Sequence, residues 1–335
     1  MCDYSQANHG GNPMRKLMTA AILVLSLCTV AHAQESEPPL LISGVWARPA
    51  LVQTGVSAVY MAIENTTDTA YTLSTVAASQ TAEEVQIHES SMVDNVMQMN
   101  PVDGLAIGPG ETALLQPGGF HMMMLGLHDE LAVGDAFSLE LSFDASDQSE
   151  PLVLTIGVPV LEEAPPPSPI LILDAWVRPT ATRDESGETA MESMEAETTP
   201  EAMSGHEMSS HSMDSDSMAT AEPGVTITSN VTAIYMHILN RGESDDQLVA
   251  ARTDAAGVVE IHESRMQDGV MQMRPVEQVT APVGERAVLE PGGLHMMLME
   301  VQHGLVAGDA IMVTLIFESG LELPVAVPVR DNLAS

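Results

Sequence analysis

Ala58-Val59-Tyr60-Met61-Ala62-Ile63-Glu64-Asn65 and Ala233-Ile234-Tyr235-Met236-His237-Ile238-Leu239-Asn240 are one short segment written twice. Its β-branched, aromatic and apolar residues have the composition of a half-buried strand. The doubling continues on either side. Val45-Trp46-Ala47-Arg48-Pro49 returns as Ala175-Trp176-Val177-Arg178-Pro179, and Ile87-His88-Glu89-Ser90 as Ile261-His262-Glu263-Ser264. Val96-Met97-Gln98-Met99 returns as Val270-Met271-Gln272-Met273, and Pro117-Gly118-Gly119-Phe120-His121-Met122-Met123 as Pro291-Gly292-Gly293-Leu294-His295-Met296-Met297. The chain is a tandem duplication, and that repeat organises every other reading of it.

Within each copy, short apolar-rich segments such as Val56–Glu64, Ala136–Phe143 and Leu152–Val158 are separated by Gly, Pro, Asn and Asp. No segment carries a long 3.6-residue periodicity, so each copy is expected to be an all-β sandwich. The expected domains are residues 39–161 and 170–331. Between them Glu162-Glu163-Ala164-Pro165-Pro166-Pro167-Ser168-Pro169 has the composition of a semi-rigid linker. The second copy carries an acidic insert at about 180–226, rich in Glu, Ser, Thr and Met, which has too little apolar surface to order itself and reads as a disordered loop.

The chain has 335 residues and a formal charge of −36, from 47 acids against 11 bases, with Lys16 the only lysine. Such a balance repels nucleic acid and anionic membrane surfaces and admits cations as partners, but a salt-rich habitat or simple solubility is the first explanation of the bulk charge. Near the N-terminus, Met14-Arg15-Lys16 precedes an apolar run from Leu17 to Val30 and then Ala31-His32-Ala33, the three regions of a secretory signal peptide ending at residue 33. The run is too short to span a bilayer, and no later stretch approaches the ~20 apolar residues a span needs. An exported, periplasmic or extracytoplasmic protein is therefore expected. Cys28 follows Leu25-Ser26-Leu27, where lipoprotein signals carry a smaller residue in place of Leu27, so cleavage after Ala33 is expected rather than lipidation. Both cysteines, Cys2 and Cys28, lie in the segment to be removed, which leaves the mature chain without a thiolate or a disulfide.

One constellation carries chemistry. His88 is followed after ten residues by Met99, after twenty-one more by His121, and after one more by Met123; His262, Met273, His295 and Met297 repeat those intervals. Residues two apart on a strand share a face, so His121 with Met123, and His295 with Met297, each present an imidazole and a thioether side by side. The Pro-Gly-Gly turn sets each pair at the start of a strand, and His88 ends the alternating run from Val85, so the four groups are expected to converge near a rim. Thioethers are soft, neutral ligands that select Cu(I), and imidazoles add strength without a redox-sensitive thiol. A neutral set near a rim suits carriage more than catalysis.

These motifs resemble the periplasmic copper chaperone family called PCuAC, over residues ~40–160 and ~171–330. The resemblance implies a cupredoxin-like Greek-key β-sandwich in each copy and one Cu(I) per domain. The implied ligands are His88, Met99, His121 and Met123, with His262, Met273, His295 and Met297. It also implies a non-enzymatic role, delivering copper to the CuA subunit of cytochrome c oxidase or to another copper chaperone of its assembly. Familiar members carry one such domain, so the duplication and the insert are departures. A second reading is copper storage or resistance, with Met203, His206, Met208, His211, Met213 and Met218 of the insert holding metal loosely. An electron carrier of the blue-copper type needs a Cys that the mature chain lacks.

Other residues have plainer expectations. Met97 and Met271 share a strand face with Met99 and Met273 and are the nearest substitutes as ligands. Met92, Met122, Met124, Met266, Met296 and Met299 read as core or rim packing. His128, His237 and His303 read as ordinary surface or hydrogen-bonded residues. Trp46 and Trp176 read as core anchors, and Arg48 and Arg178 as partners of carboxylates.

Overall fold

The computed structural model describes residues 38–93, 96–183, 225–267 and 269–331. The signal segment 1–33 with Cys2 and Cys28, and the Met/His tract from Met203 to Met218, lie outside the described residues. The first copy contributes β1 (Leu40–Ala47), β2 (Val56–Asn65), β3 (Tyr71–Ala77), β4 (Ala82–Val93), β5 (Val96–Pro101), β6 (Leu105–Ile107), β7 (Thr112–Leu115), β8 (Phe120–Leu127), β9 (Ala136–Ala145) and β10 (Leu152–Pro159). The second contributes β11 (Ile170–Val177), β12 (Ala181–Arg183), β13 (Val225–Ile227), β14 (Val231–Asn240), β15 (Asp246–Arg252) and β16 (Ala256–Gln267). It continues with β17 (Val270–Pro275), β18 (Val279–Ala281), β19 (Arg286–Leu289), β20 (Leu294–Val301), β21 (Ala310–Phe317) and β22 (Glu322–Pro328).

Each copy is a β-sandwich, as the turn-punctuated pattern predicts. A six-stranded sheet in the order β1-β2-β7-β8-β4-β5 faces a four-stranded sheet, β10-β9-β3-β6. The second copy repeats both orders as β11-β14-β19-β20-β16-β17 and β18-β15-β21-β22. Alternation explains the layers. Val59, Met61 and Ile63 of β2, Val85 and Ile87 of β4, and Met122 and Met124 of β8 meet Leu139, Leu141 and Phe143 of β9 in one buried cluster. Ile234, Met236, Ile238, Ile261, Met296 and Leu298 meet Val313, Leu315 and Phe317 in its counterpart. Period two then sends Tyr60, His88, His121 and Met123 to the opposite face of the six-stranded sheet.

The asparagine that closes the duplicated segment has a structural task. Buried Asn65 donates through Nδ2 to the carbonyls of Ile107 at 3.2 Å, Gly108 at 3.0 Å and Thr69 at 2.7 Å. Asn240 does the same to Ala281 at 2.8 Å and Ser244 at 3.0 Å. Each ties the end of its long strand to the opposite sheet, and a buried amide satisfied this fully rigidifies its surroundings.

The structure corrects three expectations. The alternating run does not end at His88, because β4 continues to Val93 and turns into β5, forming a long hairpin arm. The insert is not irregular from 180 to 226. Thr180 is fully buried, and β12 pairs with β13, Ala181 opposite Ile227 and Arg183 opposite Val225, closing its base. Backbone pairing and the Leu305 amide, which donates to Thr180 Oγ1 at 2.9 Å, supply the order that composition alone does not. Third, Met92 and Met266 pack into neither core; they are 65% and 66% exposed on the hairpin arms. Met122, Met124 and Met296 are core residues as expected.

The two copies also touch. Leu41 of β1 meets Leu173 of β11 and Leu239 of β14 in a small buried cluster. Ser138 Oγ donates to the Asp309 carbonyl at 2.7 Å, and Arg241 pairs with Glu64. Gly157 of β10 lies against β22 so closely that a Cβ there would stand 2.1 Å from the Ala326 carbonyl oxygen. Gly157→Val should therefore cost about 1–3 kcal/mol of overpacking at this contact. The expected result is a lower thermal midpoint by calorimetry with the far-ultraviolet circular dichroism of β structure retained; an unchanged midpoint would refute the close contact.

Candidate metal centre

His88 on β4 and His121 on β8 stand directly opposite each other in antiparallel register, and both are buried. Their ring centroids are 5.7 Å apart, nearly edge to face at 63°. His262 on β16 and His295 on β20 reproduce the pairing, with centroids 5.9 Å apart at 73°. Two imidazole nitrogens sharing one ion at about 2 Å each, with about 1 Å more from nitrogen to ring centre, put the centroids about 5 Å apart at a tetrahedral angle and about 6 Å apart in line. The observed spacings lie in that range.

Hydrogen bonds decide which nitrogen each ring has available. The left-handed φ of Gly118, 82°, makes the tight turn before β8 and is suited to glycine. That turn brings the Gly119 carbonyl 3.1 Å from His121 Nδ1. A carbonyl only accepts, so Nδ1 carries the proton and Nε2 keeps its lone pair. His88 is the reverse. Its Nε2 donates to Gln86 Oε1 at 2.8 Å, and its Nδ1 is buried without a hydrogen-bond partner. In the second copy His295 Nδ1 donates to the Gly293 carbonyl at 3.1 Å, and His262 Nε2 donates to Glu260 Oε2 at 2.8 Å. His262 Nδ1 is again buried and unpartnered. An orphaned buried nitrogen costs about 1–3 kcal/mol unless something occupies it. In each copy, one Nδ1 and one Nε2 lone pair are thus available for a ligand.

The methionines flank this pair on two sides. Met123 lies opposite Gln86, one step along β8 from His121, and is half-buried. Met99 lies opposite Ser90 on β5, about 5 Å across and about 7 Å along from His88 by strand geometry. Met297 lies opposite Glu260 and Met273 opposite Ser264 in the same way. The two histidines and the methionine next to them on β8 or β20 are brought together. Met99 and Met273 share their face but stand on the arm, 51% and 50% exposed, as do Met97 and Met271 at 52% each. Among the described residues no three His, Cys, Asp or Glu side chains group as a metal site. In the first copy a hard cation would find two imidazoles and little else, whereas in both copies a soft one has thioethers on the same face.

Sequence reasoning missed how the outer face is built. Trp46 and Trp176 are not anchors of the sandwich core. A bulge between Ser43 and Trp46 adds one residue to β1 and seats Trp46 opposite Tyr60 on the site's face. Trp46, Tyr60, His121 and His88 form a continuous row, with ring centroids 4.9, 6.4 and 5.7 Å apart along it. Trp176, Tyr235, His295 and His262 repeat the row. Nor do Arg48 and Arg178 serve as expected: their guanidinium groups lie 5.9 and 5.4 Å from the centroids of Tyr60 and Tyr235, cation over ring. The Trp-x-Arg spacing was the only signal, since the extended chain carries the alternation one residue past the end of β1 and of β11.

The family described as LpqE-like matches residues 40–155 and 170–329. A protein named "Putative lipoprotein Lxx21020" from Leifsonia xyli subsp. xyli is 38% identical over 104 residues, 31% of this chain and 63% of that protein. "Uncharacterized protein RP573" from Rickettsia prowazekii is 30% identical over 115 residues, 33% of this chain and 64% of that protein. The chain thus spans less than two thirds of the length of these relatives. A solved structure titled "Copper-bound PCuAC domain from PmoF2" is 22% identical, covers 38% of this chain and 95% of its own, and superposes with a TM-score of 0.31. At that score the likeness carries no argument, and the site rests on its own geometry.

Burial holds His88 and His295 below the ordinary imidazole value of 6.5; His121 beside His88 adds to the effect, and His262 and Arg178 add to it at His295, against the Gly293 hydrogen bond. The unfolded chain therefore takes up protons that the folded chain refuses. The stability due to these groups is complete above 6.5 and is lost as pH falls through their lower folded values. Metal-free protein should show a thermal midpoint that declines on acidification below about pH 6.5, with a shallower decline in His88→Gln/His295→Gln. Identical slopes in the two proteins would refute the assignment.

Proposed function

Because the chain belongs to the LpqE-like family and each half sets two oppositely tautomerised histidines beside methionines, we propose that it is an exported, non-enzymatic copper(I) chaperone. The observation that carries this reading is the His pair. Its ring spacing and its two unused lone pairs fit one shared ion, and the thioethers nearby make that ion a soft one. Copper is the cargo. The proposed ligands are His88, Met99, His121 and Met123 for one ion and His262, Met273, His295 and Met297 for a second.

Half-exposed Met99 and Met273 are the exchangeable ligands in this proposal. A partner's donor displaces the exposed thioether first, while the buried histidines hold the ion until a second donor arrives. The proposed recipient is the CuA centre of cytochrome c oxidase or another copper carrier of its assembly. Export rests on the signal segment ahead of residue 34. The lipoprotein name of the Leifsonia relative makes Cys28 the alternative point of processing, and the mass of the mature N-terminus separates the two.

The mature protein should bind two Cu(I) per chain in titration against a competing chelator. His121→Ala/Met123→Ala and His295→Ala/Met297→Ala should each leave one, and the combined variant none. A combined variant that binds as tightly as the wild type would end this reading.

A further inference from the structure

The duplicated sites differ at one residue that touches a histidine. Along the outer face of β4 run Glu84, Gln86 and His88; the same positions on β16 are Val258, Glu260 and His262. In the first copy His88 Nε2 meets the Gln86 amide oxygen at 2.8 Å, and the Gln86 Nε2 donates in turn to Glu84 Oε1 at 2.8 Å. An amide therefore separates imidazole from carboxylate. In the second copy the Glu260 carboxylate stands where the amide stood, and His262 Nε2 donates to it directly at 2.8 Å.

We infer that the second copy accepts Cu(II) as well as Cu(I), and that Glu260, acting through His262, is the positioning residue that gives it this wider range. The inference rests on the reading that each His/Met set holds copper. A carboxylate that takes the Nε2–H bond fixes the ring's orientation and strengthens its Nδ1 as a donor, the arrangement in which metal-bound histidines are commonly held. It also leaves a negative charge one imidazole away from the ion, and a dication gains twice what a monocation gains from that charge. The first copy offers the ion a neutral amide at that place and stays selective for the softer, singly charged state.

Neighbouring charges do not undo the contrast. Arg178 over Tyr235 has its counterpart in Arg48 over Tyr60, and Arg330, whose place in the first copy is Leu161, lies over Trp176, two rings along the row from His295 and off the candidate ligands. Glu263 sits between Arg265 and Arg274, which bond it at 2.6 and 2.7 Å, and alternation turns it from the face of His262. Glu260 is the one charged side chain in direct contact with a candidate ligand ring among the described residues.

The test isolates each site in the full-length mature protein. His121→Ala/Met123→Ala leaves the second site, and His295→Ala/Met297→Ala leaves the first. Each is titrated with Cu(I) and with Cu(II) against chelators, with the electron paramagnetic resonance of bound Cu(II) recorded. Added to the protein that keeps the second site, Glu260→Gln should lower the Cu(II)-over-Cu(I) preference about tenfold and change the resonance; added to the other, Gln86→Glu should raise it by a similar factor. The gain in Gln86→Glu cannot come from misfolding, and circular dichroism checks Glu260→Gln. If both single-site proteins bind Cu(I) and neither exchange moves the preference, this inference falls while the copper reading stands. If neither binds Cu(I), both fall.

Discussion

The structure depends on a parity constraint. Met122 and Met124 of β8 and Ile87 of β4 are committed to the core of the first sandwich, so His121, Met123 and His88 between them must face outward. A one-residue slip of β8 against β4 would drive the His121 imidazole into an apolar interior and expose two methionines that are now fully buried. Each misplaced Met would forfeit about 2–3 kcal/mol of burial. The core thereby fixes the register, and the register sets His88 opposite His121. The second copy holds its pair by the same rule, with Ile261, Met296 and Leu298 inside.

A turn then converts that pairing into a pair of donors. Gly118 takes a conformation that carries a penalty for other residues, and the Gly119 carbonyl it presents is already receiving the Ser90 amide at 3.1 Å. Its second lone pair takes the His121 Nδ1 proton. The neighbouring strand supplies the opposite device, a side-chain oxygen two residues before His88 that takes the Nε2 proton. The site is arranged by backbone and core packing, and the buried Nδ1 without a hydrogen-bond partner is the cost of that arrangement.

Much of this was legible from period and spacing. The duplicated segments, the sandwich, and the shared face of His121 with Met123 all follow from alternation at period two. What escaped depends on single insertions and long-range contacts. The bulge before Trp46 shifts β1 by one residue, so simple alternation assigns that indole to the wrong environment. The ordered base of the insert depends on Leu305, more than a hundred residues along the chain from Thr180. The packing of the two copies depends on Gly157 lacking a side chain, and although its place inside an apolar strand segment marks a close approach, nothing local says which element approaches it. The exchange of Gln86 for Glu260 was visible all along, but a comparison that seeks identities passes over it.

Strand order also decides how the two sites relate to the contact between copies. That contact uses β1, β2, β9, β10, β11, β14 and β22, through Leu41, Glu64, Ser138, Gly157, Leu173, Leu239 and Ala326. In the first six-stranded sheet β1 forms one edge and β5 the other, with His121 and His88 between them on β8 and β4. From β1 across β2 and β8 to β4 is about 14 Å, three strand spacings, so a residue of the other copy packed on β1 does not reach His88. The edge that remains open is β5, where Met99 stands half-exposed. An edge strand with unpaired backbone groups invites another chain to align beside it. The association of the copies thus covers the edge opposite the methionine arm and leaves Met99 far more exposed than His88 and His121.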